Sequence, residues 1–258
     1  MPNFEHRVSF ISIYFIFWLI LRLPHPDGDL GLPGRVLASV GNHETWDDPN
    51  LEGMMTTMPW LTDLGMSPKN RIYARPYHNS HFIFLDSGGM CINEKPWCSK
   101  NPVFAKQMAF LELHLKRAQK NGADHVFVVY HKPSFVQYGH DPLPPKQNPH
   151  YVLKKYAKFF NILVFNSHAH TTEQYLVDGI NYLVIGGSGT EQVFTKAQNP
   201  SSSEKELYWQ GKPRVQEYNY LRVKVDGRQL NAELHGIRPP NKVSTVNMVQ
   251  LPASPTSP

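Results

Sequence analysis

Charge is sparse in this chain and nowhere concentrated. Asp, Glu, Lys and Arg make up 18% of its 258 residues, with no run of five like charges and no Arg-rich helix. Both findings argue against a polyelectrolyte tail or a basic groove-reading helix, so no nucleic acid is expected as partner. Cysteine is scarcer still. Cys91 and Cys98 are the only two, which excludes a disulfide scaffold, and a zinc site made by them alone lacks a second pair. They are either free thiols or one local disulfide. No internal repeat occurs. Residues 8–21 (VSFISIYFIFWLIL) form an uncharged apolar run, short of the about 20 residues that span a bilayer.

That apolar run follows His6-Arg7 and precedes Arg22 and Pro24. A basic start before an apolar stretch reads as a secretory signal or anchor, although no clear small-x-small cleavage site follows. On this reading the chain is secreted or membrane-associated, with membrane contact through residues 8–21. The alternative is that residues 1–34 are foreign to the domain, through a gene-model or splicing error. Hydrophobic residues make up 41% of the chain and the formal net charge is +5. These values fit a globular protein and permit an anionic ligand.

From Arg35 onward, apolar β-branched stretches alternate with polar turns. Residues 36–40, 81–85, 126–130, 162–165, 175–177 and 182–185 read as strands. Phe104, Met108, Leu111, Leu115 and Ala118 recur at helical spacing, and Asn121-Gly122 stops that helix. A second helix is expected over 151–160. Asp226-Gly227 between two alternating segments predicts a hairpin. Residues 239–258, rich in Pro and Ser, read as a disordered tail. The domain is thus expected over 35–238, with an α/β layered fold.

Three predicted strands end in metal-capable side chains: Gly41-Asn42-His43-Glu44, Tyr130-His131-Lys132-Pro133 and Ser167-His168-Ala169-His170. An amide oxygen and imidazoles are compatible donors for a divalent cation. In an extended segment His168 and His170, two apart, face the same way. Each cluster alone also fits an ordinary turn or a hydrogen-bonded histidine; in this order they support one another.

Together the three clusters resemble the last three motif blocks of the calcineurin-like metallophosphoesterases, and Glu44 after the Asn-His pair is similar to the purple acid phosphatase branch. Residues 82–88 (FIFLDSG) and Gly186-Gly187-Ser188-Gly189 support the likeness, which covers about residues 35–234. The resemblance implies a β-sandwich flanked by helices (αββα) and a dinuclear Fe, Zn or Mn-type site. By position, Asn42, His131 and His168 would ligate one metal and His170 the other. His43 would touch the phosphate or protonate the leaving oxygen. The implied activity is hydrolysis of a phosphorylated small molecule by metal-activated hydroxide, of the acid phosphatase type.

The chain departs from the family upstream, where two blocks normally supply aspartates. Before Gly41 the acidic residues are Glu5, Asp27 and Asp29. Asp29, in Gly28-Asp29-Leu30-Gly31, lies too close to Asn42 for the usual intervening elements. A tyrosine-bearing block for iron is missing too. Two close cations repel without an anion between them, so one metal, with turnover impaired, is the expectation. Ser167 stands where the family has glycine; if that position needs positive φ, serine is strained there. The competing expectation is a metal-binding or interaction domain that keeps the fold without turnover.

Overall fold

The computed structural model describes residues 5–13, 16–22, 36–45, 48–87, 102–187, 193, 195–198, 200, 207–210, 218–238 and 242–251. Two sheets face each other. The first runs in the order β13 (Lys242–Leu251), β12 (Gln229–Arg238), β11 (Tyr218–Asp226), β1 (Glu5–Ile13), β2 (Ile16–Arg22), β3 (Val36–Ser39), and every pairing in it is antiparallel. The second runs in the order β10 (Leu207–Gln210), β8 (Thr172–Val177), β9 (Ile180–Ile185), β7 (Asn161–Asn166), β6 (His125–Val129), β5 (Ser80–Phe84), β4 (Tyr73–Tyr77). Strands β5, β6, β7 and β9 are parallel, so their C-terminal ends share one edge.

Strand alternation sorts the cores. Phe82, Phe84, Phe127, Val129, Leu163 and Phe165 point between the sheets, where they meet Leu37, Leu221, Val223 and Leu230. Ile83, Val126, Val128, Ile162 and Val164 point the other way, onto helix α2 (Pro102–Lys120). Phe104, Met108, Leu111, Leu115 and Ala118 of α2 are all buried there, as the helical spacing predicts. Full burial of a Leu, Met or Phe side chain contributes about 1.5–3 kcal/mol. Helix α1 (Glu52–Thr57) adds Met54 to the core between the sheets. The molecule is therefore a layered α/β sandwich.

Three segments take a form that the sequence reading does not anticipate. The apolar segment pairs within the first sheet, where β1 and β2 form a hairpin between β11 and β3. Its β-branched and aromatic residues suit interior strands. No helix among the described residues is long and apolar enough to cross a membrane. In the expected tail, Lys242–Leu251 instead pairs along β12, using Val243, Thr245, Val246 and Val249 as strand formers. The second helix is a single turn, α3 (His150–Leu153). Beyond it the bonds tighten to three-residue spacing, as in Tyr156 N–H to Leu153 O and Phe159 N–H to Tyr156 O. Tyr156 and Phe160 are buried against the sheet, and packing overrides helix propensity. Cys91 and Cys98 lie outside the described residues.

Candidate metal centre at the strand ends

The three clusters converge, but from both sheets. Strand β3 delivers Gly41 and Asn42, after which His43–Thr45 makes a 3-10 turn closed by Thr45 N–H and Oγ1–H to Asn42 O, at 3.2 and 2.9 Å. Strand β6 delivers His131, and β7 delivers the segment from Ser167 to His170. Ser39 Oγ–H donates to Leu85 O at 3.2 Å, which ties the end of β3 to the end of β5. Ser167 N–H to His131 O at 3.0 Å and Asn166 Nδ2–H to Tyr130 O at 2.8 Å join the other two exits.

His131 Nε2 lies 2.6 Å from Asn42 Oδ1 and 3.2 Å from His168 Nδ1. An amide oxygen only accepts, so His131 donates through Nε2. His168 Nδ1 faces the same N–H with its own lone pair, which places the His168 proton on Nε2. Two acceptors thus share one N–H, and three potential ligand atoms meet at one point. Two atoms bound to one cation at about 2.0–2.2 Å stand about 3–3.4 Å apart. The His131–His168 separation already meets that range, and the amide would need to withdraw slightly. Burial holds the imidazoles neutral, as a cation requires. His131 is pushed down to about 3, first by burial and then by His43, His170 and His140. His168 is lowered well below the usual range by burial, then by His131 and Lys132. Among the described residues no three His, Cys, Asp or Glu side chains form a metal-holding group on their own; the third donor here is an amide.

His168 and His170 do not sit in an extended segment. Their φ angles are 61° and 55°, and Ala169 N–H reaches back to Ser167 O at 2.6 Å around His168. Such a three-residue turn is rare and strained. The left-handed positions are thus the two histidines. Ser167 is not among the positive-φ residues, so serine there carries no such cost. Glycine is required elsewhere. A Cβ on Gly41 would stand 2.6 Å from Glu44 Oε2 and 2.9 Å from His131 Nδ1.

His140, which lies outside the three motifs, belongs to the cluster. Its ring centroid lies 5.3 Å from that of His168 and 5.0 Å from that of His170. His43 and His170 are both lowered by burial first; His140 is the next cause for each. The available clue was Gly139-His140 in a Pro-rich loop, with Gly139 at φ 78°. Lys132 is a cation close enough to lower both His131 and His168. Behind Gly41, Glu44 Oε2 accepts the Gly41 N–H at 2.6 Å. Its carboxyl is raised to about 7, first by burial, with the Asp86 charge adding to it. Asp27 and Asp29 lie outside the described residues.

The fold and site define a two-sheet α/β protein with histidines and an amide gathered where the strands end. No protein family and no curated protein matches the sequence. Among solved structures, the chain is similar to GAP50, the anchor in the inner membrane complex of Plasmodium, at 12% identity and a TM-score of 0.48, over 71% of this chain and 55% of that one. It spans little more than half of that protein. It is also similar to a dimetal phosphatase from Danio rerio, at 11% identity and a TM-score of 0.44 over 81% of each chain. A predicted phosphoesterase from Streptococcus pneumoniae matches at 12% identity and a TM-score of 0.22, over 55% of this chain and 91% of that one.

Proposed function

We propose that this chain is a metal-dependent phosphoester hydrolase acting on a phosphorylated small molecule, of the acid phosphomonoesterase type. The observation that carries the reading is the meeting of Asn42 Oδ1, His131 Nε2 and His168 Nδ1, at 2.6 and 3.2 Å, beside three further imidazoles. Asn42, His131 and His168 hold one cation; His170 is the donor left for a second. A bound cation supplies Lewis-acid polarisation of the phosphoryl group and a nucleophilic hydroxide at moderate pH. His43 would touch the phosphoryl oxygens, His140 adds a further imidazole beside His168 and His170, and Lys132 adds positive charge near His131 and His168. His43 donates the proton that the leaving alkoxide needs. Because burial lowers its pKa, His43 carries that proton below the ordinary histidine range, which favours acid conditions.

A second reading, a metal- or anion-binding domain without turnover, has one observation in its favour. Among the described residues no Asp or Glu joins the histidines in a metal-holding group, so a carboxylate bridge between two cations is not supplied by them. Metal content and p-nitrophenyl phosphate turnover of the full chain separate the two. Turnover that follows metal loading supports hydrolysis. Metal bound at one equivalent with no turnover from pH 4 to 8 would leave the binding domain standing.

A further inference from the structure

We infer that Glu173 is the positioning residue for His140: its buried carboxylate seats the loop 137–140 against the His168-Ala169-His170 turn and thereby sets how tightly the histidines hold a phosphoryl group. The phosphoryl half of this statement rests on the proposed function; the positioning half does not. Glu173 is fully buried in β8. One carboxylate oxygen accepts the Gln137 N–H at 2.9 Å and the Tyr175 hydroxyl, and the other accepts the Tyr138 N–H at 3.2 Å. Two adjacent backbone donors are therefore clamped by one side chain immediately before Gly139-His140.

The loop is held from its other side as well. Ala197 N–H donates to Gln137 O at 2.9 Å and Gly139 N–H to Thr195 O at 2.8 Å. Gly139 completes the approach. A Cβ there would overlap the Ala169 carbonyl oxygen and stand 2.8 Å from its carbon. With the backbone fixed on both sides, the His140 ring comes to rest against His168 and His170. Isolated carboxylates are costly to bury. This one is satisfied by the Tyr175 hydroxyl of its own strand and by two backbone donors of the loop, and the latter two are what hold the loop. A glutamine cannot replace it: its NH2 would confront N–H and O–H donors.

The test uses the full chain, with imidazole nitrogen NMR and titration by inorganic phosphate. In Glu173→Gln the His140 ring signals are expected to move most, those of His168 and His170, which its ring touches, less, and those of His131 least. Phosphate affinity is expected to fall about tenfold, the scale of one charge-assisted hydrogen bond. In a His140→Ala background the same substitution is expected to cost nothing further, because Glu173 acts through His140. Unmoved His140 signals in a folded variant, or an equal loss with His140 absent, would overturn the assignment. Should Glu173→Gln not fold, Glu173→Asp keeps the charge and retracts it by one methylene; unmoved His140 signals there overturn the assignment equally. Absence of p-nitrophenyl phosphate turnover in the unmodified chain would count against the proposed activity alone, since the ring signals still report on Glu173.

Discussion

Gly139 and Ala169 touch through their backbones, so tightly that a side chain on Gly139 has no room beside the Ala169 carbonyl. The contact joins the loop of His140 to the turn of His168 and His170. Gly139 also has φ 78°, which L side chains rarely adopt. Gly139→Ala is therefore expected to combine left-handed strain with a backbone clash, about 2–4 kcal/mol together. Thermal melts check the stability loss. Phosphate titration of whatever remains folded should show weaker binding, and wild-type stability in this variant would contradict the contact.

Metal loading should depend unequally on the histidines. His131 Nε2 is the atom shared by Asn42 and His168, so His131→Ala is expected to weaken zinc binding by at least about 100-fold. His170→Ala should leave one tight equivalent, because its donor lies outside that three-atom meeting point. Calorimetry with elemental analysis reads both. Equal losses would mean that the two sets are one site.

Away from the site, His81 Nε2 and His114 Nδ1 meet at 3.0 Å between β5 and α2. Both are lowered to about 4, first by burial; Arg117 opposes each proton, and His81 also opposes that of His114. Folded values below the unfolded one mean that the unfolded chain takes up protons first. The stability this pair provides is present above about pH 6.5 and is lost as pH falls toward 4. Each tenfold drop in proton affinity corresponds to about 1.4 kcal/mol. His81 is buried and His114 only half-buried; the two rings share one interaction and His114 is partly solvated, which reduces the loss to about 1–2 kcal/mol. Denaturant titrations at pH 7 and 4.5 measure it, and His81→Leu should flatten the difference.

Removing residues 1–22 tests the place of the apolar hairpin. Because β1 pairs with β11 and β2 with β3, deletion opens two interior edges of the first sheet. Unpaired apolar edges aggregate, so the shortened chain is expected in the insoluble fraction. A soluble, cooperatively melting product would instead show the hairpin to be dispensable, as the leader reading requires.

Elements with strong local patterns were legible in the sequence. Helix α2 follows from the spacing of Phe104, Met108, Leu111, Leu115 and Ala118, and the β11–β12 hairpin from Asp226-Gly227, because periodicity and turn chemistry act over a few residues. Asn42, His43, His131, His168 and His170 stood out because each closes an apolar stretch. The hairpin of residues 5–22 and strand β13 did not stand out. An apolar run and a Pro-flanked terminus have several local readings, and pairing with distant strands selects among them.

What the sequence determined by itself was therefore the candidate donors and the periods of its strands and main helix. Only the tertiary structure decided that Asn42 comes from one sheet and the paired histidines from the other, and that His168 and His170 occupy a strained turn. It also brought in His140 through a glycine contact and a buried carboxylate. The physical reason is the range of the forces involved: periodicity is written in neighbours, whereas a close backbone approach or a clamp such as Glu173 on Gln137 joins residues far apart in the chain.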